Sequence, residues 1–454
     1  MEEKMTVNKI KQLLTERRLA ELKDLIGELH PADFSEIAEE LSLAELIEIF
    51  KLIPDREKIA EYISELPFEL QSDLLKAMSK EQASEVLTEM DTDEAVDLLA
   101  EIAPEESQEF LGLLPQDEAA EIKELMKYEE NTAGSIMNNE FVSLPEHLTA
   151  AQAIEYIRQM SPEAEMIYYV YVLDQKKRLI GVLSLRDLIV ADPQKKITQI
   201  MEEDVISVLD TEDREVAARL ISDYDFLAIP VINKQGMMVG IITVDDIIDV
   251  LEEEVTEDIH KMVGSAEFYE DKLIKATPLS RAKARLPWLL VCMIGEIISG
   301  SVIEFHSGIL EVMVALAFFI PIIMAMGGNV GAQSSTITVR GLATGQLRLH
   351  EMWQNVWTET KVGFFIGITV GVIISILTYF WQNNYILGLT IGLSLCITII
   401  TAATVGTLLP LVFTKLNIDP AIATGPFITT VVDIGSLIIY FSLGTFLFVY
   451  LGRL

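Results

Sequence analysis

From residue 42 to residue 126, apolar positions recur every three or four places, and the pattern restarts at near-constant intervals. The segments SLAELIEIFKLI (from 42), PDREKIAEYISEL (54), PFELQSDLLKAM (67), SKEQASEVLTEM (79), DTDEAVDLLAEI (91), APEESQEFLGLL (103) and PQDEAAEIKELM (115) lie 12 or 13 residues apart. Each opens on Ser, Asp, Ala or Pro, often has Glu in the first turn, and then places Leu or Ile at helical spacing. That is the signature of short capped helices. A helix this short cannot bury its apolar face alone, so the repeat predicts an α-helical superhelix over residues 1–130. Such scaffolds bind or sense, and this one carries no catalytic constellation.

Periodicity then changes. IMNNEFVSLPEHLTAAQAIEYIRQM is echoed by IMEEDVISVLDTEDREVAARLISDY, and YYVYVLDQKKRLIGVLSLRDLI by LAIPVINKQGMMVGIITVDDII, at offsets of 59–64 residues. Each copy reads as strand, helix, two strands joined by a polar turn, then helix. Each closes on the pattern G-x-[LI]-[ST]-x-x-D, at Gly181–Asp187 and Gly240–Asp246. The two copies resemble a tandem α/β pair of CBS domains over residues 136–251, divided near 198. Such pairs regulate their hosts and often hold adenine nucleotides. The resemblance makes Arg186, Asp187 and Phe226 candidates for contact with a nucleotide such as ATP.

The last part of the chain is apolar in long runs: Leu286–Phe305, Ile309–Gln333, Val362–Trp381, Tyr385–Phe413 and Ala421–Leu451. Each can cross ~30 Å of hydrocarbon as a helix. Residues 281–454 are therefore expected to form an α-helical transmembrane domain of five spans. Basic residues flank alternate ends: Arg281, Lys283 and Arg285 before the first run, Arg340, Arg348 and Lys361 after the second, and Lys415 after the fourth. The connections around His306 and in WQNNY have none. This bias orients the N-terminal half to the cytosol of a plasma or inner membrane and the C-terminus outside, with Arg453 the one charge against it. MEEKMTVNKI has no apolar run, so no cleavable signal peptide is expected.

Charge divides the same way. The net charge is −36. Residues 1–270 hold 24 Lys/Arg and 62 Asp/Glu, whereas residues 271–454 hold ten and eight. So acidic a unit repels nucleic acid and attracts cations. The cysteines, Cys292 and Cys396, both lie in apolar segments. They suggest neither a disulfide framework nor a thiolate metal site.

Three features bear on chemistry. FITTVVDIGSL, Phe427–Leu437, sets Asp433 in a run with no other charge. A charge at the bilayer centre costs roughly 2.5–3.5 kcal/mol on insertion scales. Asp433 is either a functional ion ligand, with Thr429 one turn earlier, or a buried acid held protonated or paired. Glu296, in the middle of the first run, raises the same question without the surrounding helix breakers, and reads as a pore-lining or a dimer-contact acid ranked below Asp433. Second, Pro321–Gly341 packs Pro321, Gly327, Gly328 and Gly331 around Asn329 and Gln333. It reads either as an interrupted helix whose freed carbonyls and amides line a wet path, or as small residues packed on a neighbouring helix. Third, VDDIIDVLEEEVTEDIHKM puts Asp246, Asp249, Glu253 and Glu257 on one helix face and Glu254 and Asp258 on the adjoining strip. No basic residue intervenes from Thr243 to Ile259. Like charges at i,i+4 repel, so this is either a solvated acidic helix or one relieved by a hard divalent cation on oxygen ligands.

The order of parts, with GGNVGAQSSTITVRGLATG, YDFLAIPV, TVDDIIDVLEEEVTEDIH and DPAIATGPFITTVVDIGSLIIYF, resembles the MgtE family of magnesium channels and transporters over essentially the whole chain. The resemblance implies a homodimer in membrane lipid, with its pore on the two-fold axis. It implies that Asp433 binds hydrated Mg²⁺ there, helped by Asn329 and backbone oxygens near Thr429. It implies that a linking helix, 243–275, acts as a plug. Cytosolic Mg²⁺ held by Asp225, Asp246, Asp249, Glu254, Glu257 and Asp258, with Asp93 of the helical repeat, would then close the pore. Glu296 is not part of that pattern. Two rivals are a CBS-regulated carrier for Co²⁺, Ni²⁺ or an organic cation, and a membrane-tethered Mg²⁺ or nucleotide sensor that transports nothing. An intramembrane aspartyl protease would need a second Asp in another span, which the sequence lacks, and no enzymatic activity is expected.

Overall fold

The computed structural model describes residues 2–160, 166–264 and 277–450. These divide into two compact units, residues 1–251 and 252–454.

The N-terminal unit opens with ten helices, the last seven being Leu43–Phe50, Arg56–Ser64, Phe68–Ala77, Lys80–Thr88, Thr92–Glu101, Pro104–Leu111 and Gln116–Leu125. Their boundaries follow local chemistry. Ser42 with Glu45 and Ser79 with Gln82 form reciprocal capping boxes that satisfy otherwise orphan amides. Helices alternate in contact: Leu43–Phe50 lies on Phe68–Ala77, Arg56–Ser64 on Lys80–Thr88, and Phe68–Ala77 on Thr92–Glu101. Polar rungs between residues 29 or 30 apart repeat along the stack, as in Arg56–Glu85 at 2.9 Å, Thr88 Oγ1 to Glu118 at 2.8 Å, and Ser84 Oγ to the Leu113 carbonyl at 2.8 Å. Inside, Phe34 packs on Phe50 and Tyr62, and the Tyr62 hydroxyl donates to the Ile26 carbonyl at 2.6 Å.

Two three-stranded sheets follow. The first orders β1 (Phe141–Pro145), β2 (Met166–Leu173) and β3 (Leu179–Ser184); the second orders β4 (Val208–Leu209), β5 (Ala228–Ile232) and β6 (Met238–Thr243). In each, the first pair is parallel and the second antiparallel. The closing pattern has a mechanical meaning. Ser184 and Asp187 cap helix Leu185–Val190 reciprocally, and Thr243 Oγ1 donates to Asp246 at 2.5 Å at the next helix start. The helical repeat and the second CBS copy share one apolar core, from Val7 to Val250.

Among the described residues of the membrane unit, five helices are long and apolar enough to cross a bilayer: Pro278–Phe305, Val314–Ala343, Leu349–Gln382, Tyr385–Lys415 and Pro420–Phe448. The fourth packs on the second, third and fifth. Its contact with the third is made backbone to backbone: a Cβ on Gly371 or on Gly392 would lie 2.6 Å from the other's carbonyl oxygen. Small residues permit such approaches where lipid gives helices no hydrophobic reason to associate.

Two expectations change. The second span is unbroken through the glycine-rich motif, since an α-helix runs from Ile320 to Ala343. Its irregular part comes earlier, in the 3₁₀ turn Val314–Phe319. The glycines act as contact surface: a Cβ on Gly327 would lie 2.7 Å from Ser436 Oγ and 2.9 Å from Thr398 Cγ2, and one on Gly331 would lie 3.0 Å from Val432. Packing against the fourth and fifth spans offsets the low helix propensity of glycine, so no carbonyls are freed there. The fifth span is irregular two turns before Asp433 rather than beside it. Pro420–Ala423 is 3₁₀, and Gly425 takes φ +45 against the Met262 carbonyl. Beyond it the helix is regular through Asp433, which engages the Thr429 carbonyl in the helix ladder. The linking helix spans Val244–Met262; the remainder of its expected range, 265–275, lies outside the described residues, as does Arg453.

Candidate ion path and acidic control region

In the membrane unit, Asp433 is half-buried on the fifth span. The second span reaches it because residue 328 is glycine: a Cβ there would sit 3.4 Å from Thr429 Cγ2 and 3.8 Å from Asp433 Oδ1. Asn329, the next residue, is exposed on the single chain. The Thr429 hydroxyl is already committed, donating to the carbonyls of Pro426 at 3.0 Å and Gly425 at 3.2 Å. Glu296 is exposed on the first span, close enough to Asp433 for their charges to interact. The arrangement sets a carboxylate on the fifth span against the turn of the second span that carries the Asn329 amide, with no cationic side chain between Lys415 and Arg453 in the sequence.

In the N-terminal unit, acids of the helical repeat meet acids at the head of the linking helix. Burial, reinforced by Asp245, pushes the Asp91 carboxyl up. Burial pushes Glu94 up to about 7, with a Ser64 hydrogen bond opposing and Asp91, Glu65 and Asp246 reinforcing. Asp246 is pushed up to about 6 by burial, against its Thr243 hydrogen bonds and with Asp245 and Asp249 beside it. Asp93 Oδ1 accepts from Asn138 Nδ2 at 3.1 Å, and Thr92 Oγ1 donates to Glu140 at 2.7 Å. Thus the structure brings Asp91 and Glu94 of the helical repeat to Asp245 and Asp246, with Asp249 beside the latter, while Asp93 of the same helix turns to Asn138. Asp225 is not among the carboxylates that act on Glu94 or Asp246; it is exposed in the left-handed C-cap of helix Arg214–Tyr224, at φ 53.

The lower half of the linking helix makes a second group within the membrane unit. Burial pushes Asp258 up to about 6, with Asp419 next in effect, Lys261 opposing, and Glu254 and Glu257 reinforcing. Lys261 bridges Glu257 and Asp419, the latter at 2.6 Å. Burial would lower the Lys261 ammonium, but these two carboxylates outweigh it and raise it. Among the described residues, no three Asp, Glu, His or Cys side chains converge closely enough to hold an ion as they stand.

Asp91, Glu94, Asp245 and Asp419 escaped the sequence reading. Asp245 lies beside Asp246 but on a different strip of the helix. Asp91 and Glu94 belong to a repeat whose every unit carries acids. Asp419 sits in the quoted DPAIATG motif, where its visible job is to cap the turn, accepting from Ala421 N at 2.8 Å. Of the nucleotide candidates, Arg186 is exposed, Asp187 caps its own helix, and Phe226 stacks on Tyr224 with centroids 5.4 Å apart.

Three comparisons bear on this arrangement. Residues 29–131 match the family described as MgtE intracellular N domain, 133–193 and 197–253 match CBS domains, and 320–443 match MgtE, a divalent cation transporter. The chain is 40% identical over 324 residues to magnesium transporter MgtE of Thermus thermophilus, covering 71% of each. It is 41% identical over 321 residues to magnesium transporter MgtE of Bacillus subtilis, covering 71% of this chain and 70% of the relative. Among solved structures it resembles the soluble part of a magnesium transporter (TM-score 0.52, 37% identity, 56% of this chain and 99% of the other). It also resembles the cytosolic domain of the Mg²⁺ channel MgtE in complex with ATP (TM-score 0.52, 38% identity, 54% and 99%). With the helical repeat, the CBS pair and the five membrane-length helices in this order, the chain belongs to the MgtE family of magnesium transporters.

Proposed function

We propose that the chain mediates Mg²⁺ uptake as a homodimer, with Asp433 of each copy facing the other across the ion path and Asn329 beside it. The observation that carries this is Asp433 itself: a half-buried carboxylate in a span, Pro420–Phe448, that holds no Lys or Arg of its own. A passing Mg²⁺ balances the charge that lipid penalises. Mg²⁺ dehydrates reluctantly and demands octahedral geometry, so carboxylates and amides grip it through its water shell, weakly enough to let it go. Ion flux into liposomes containing only the purified chain tests this, because a sensor without transport gives none. Competition by Co²⁺ and Ni²⁺ tests selectivity: a site that keeps its ion hydrated discriminates against ions that prefer nitrogen ligands.

Control follows from the two acidic groups. Without metal cations, Asp91, Glu94, Asp245, Asp246 and Asp249 repel, and Glu254, Glu257, Asp258 and Asp419 are offset only by Lys261, which bridges two of them. Cytosolic Mg²⁺ entering between them relieves the repulsion, draws the linking helix in, and closes the path, so the substrate also acts as feedback signal. In this arrangement the N-terminal unit is cytoplasmic and the C-terminus lies outside, as the flanking basic residues favour. The ATP complex of the relative's cytosolic domain supports a nucleotide site on this CBS pair as well, with Arg186, Asp187 and Phe226 as its contacts. Calorimetry on Arg186→Ala and Phe226→Ala full-length chains should then show weakened ATP binding.

A further inference from the structure

Glu296 is a mid-span acid that the reading above leaves without a task. Its helix buries Gly295 and Ser299, one turn apart, and Gly295 packs directly on Thr430 of the fifth span. The two helices run in the same direction along their seam. Trp288 and Cys292 line one depression with Pro426, and seven residues beyond Trp288, Gly295 meets Thr430 four residues beyond Pro426. One further turn on both brings Ser299 to the level of Ile434, with Asp433 just beneath. Around its own helix, Glu296 stands about 100° from Gly295, and Asp433 stands about 60° from Thr430. Both acids therefore flank the seam between the spans, and their charges interact.

Two observations say that something polar belongs there. Ser299 Oγ is 2% exposed and has no hydrogen-bond partner, although buried hydroxyls ordinarily find one. No Lys or Arg occurs between Arg285 and Arg340, nor between Lys415 and Arg453. Two neighbouring carboxylates at mid-membrane thus have no Lys or Arg nearer to either along the chain than Arg285 to offset them. A side chain exposed on the single chain faces lipid, at the insertion cost given above, the surface between the two copies, or a wet path, and of these only the wet path supplies a cation to offset its charge.

We propose that Glu296 is a second acid of the ion path, set beside Asp433 by the first span, and that both share the charge of the passing hydrated divalent cation while Ser299 offers its hydroxyl to the ion's water. The proposal rests on the Asp433 reading and adds a ligand arm to it. A second negative charge strengthens attraction for the ion along the seam, so its removal acts first on the Mg²⁺ concentration needed for half-maximal flux.

The test is Mg²⁺ flux into liposomes over graded Mg²⁺, for the full chain and for Glu296→Gln, Glu296→Asp and Asp433→Asn, each checked for folding by size-exclusion chromatography. The expected result is a half-saturation raised about threefold or more in Glu296→Gln, by the loss of one nearby charge, and returned close to the parent in Glu296→Asp. A packing role alone would not be rescued by restoring charge on a shorter side chain. An unchanged half-saturation in Glu296→Gln, with Asp433→Asn inactive, overturns the Glu296 proposal and leaves the Asp433 reading standing. Full flux in Asp433→Asn overturns both. If Glu296→Gln does not fold, Glu296→Asp against Glu296→Asn decides: equal half-saturation in the two overturns the proposal.

Discussion

In the N-terminal unit a helix meets its neighbours through side chains; in the membrane unit helices meet through bare backbone. Phe34, Phe50 and Tyr62 fill the superhelix, and ion pairs and hydroxyls about thirty residues apart stitch its turns. The third and fourth spans instead touch where Gly371 and Gly392 have no side chain at all. The acids differ in a parallel way. In the first unit they crowd, so that Glu94 and Asp246 are pushed toward neutrality by burial and by one another. Within the spans of the second, Asp433 and Glu296 pair only with each other among apolar residues, apart from the crowded group at Asp258 and Asp419. Crowding and isolation pose one electrostatic problem, uncompensated negative charge, and one cation can answer both. The difference lies in reversibility. Crowded acids at a surface can spread apart when the cation leaves, which suits a switch, whereas isolated acids in packed spans cannot, which suits a path.

The largest expected effect breaks the comparison at its membrane end. Asp433→Ala should reduce Mg²⁺ uptake in liposomes to the protein-free background while the protein stays folded; normal uptake would remove Asp433 from the path. Neutralising Asp246, Asp249 and Glu257 together should leave uptake intact but raise the Mg²⁺ needed for closure about tenfold or more, within the usual range of coupling energies. Patch recordings at graded Mg²⁺ check it, and retained closure would count against the control region.

The packing contrast can be sharpened with Gly392→Ala. Its Cβ would meet the Gly371 carbonyl oxygen at 2.6 Å, and overpacking of this kind costs about 1–3 kcal/mol. Thermal unfolding in detergent should show the loss, whereas Gly300→Ala, which opens onto free space, should show none.

The pH dependence sharpens the electrostatic side. Asp246 and Glu94 have folded values raised to about 6 and about 7, so the fold favours their protonated forms. That stabilisation is fully present below the unfolded range, near pH 4, and is lost as pH rises through 6 and 7. Hydrogen exchange in helix Thr92–Glu101 of the metal-free full chain should therefore slow from pH 8 to pH 5, after correction for intrinsic exchange, and saturating Mg²⁺ should flatten the trend. The smallest effect is local: Ser79→Ala removes a capping box and should cost about 1 kcal/mol of N-terminal stability in denaturant titration.

Much of this was legible beforehand for specific reasons. Ser42 and Ser79 announce helix starts because only a few side chains can satisfy orphan amides. The [ST]-x-x-D pattern shows itself as the cap of the next helix, at Ser184–Asp187 and Thr243–Asp246. Asp433 stood out because lipid makes any charge conspicuous. By contrast, Asp419 and Glu94 were invisible, since one acid among many in a polar segment carries no local signal. The glycine motif was readable in two ways, and packing against Val432, Ser436 and Thr398 decided for a continuous helix.

Element types, the spans and the division of charge were therefore settled by sequence alone, because periodicity, run length against bilayer thickness and charge are properties of the chain in one dimension. Tertiary structure alone decided what each acid meets: Asp93 the amide of Asn138 across 45 residues, Asp258 the carboxylate of Asp419, and Asp433 the second span at Gly328. Partnership at such separations depends on how helices dock, and a missing Cβ permits close docking without naming the neighbour.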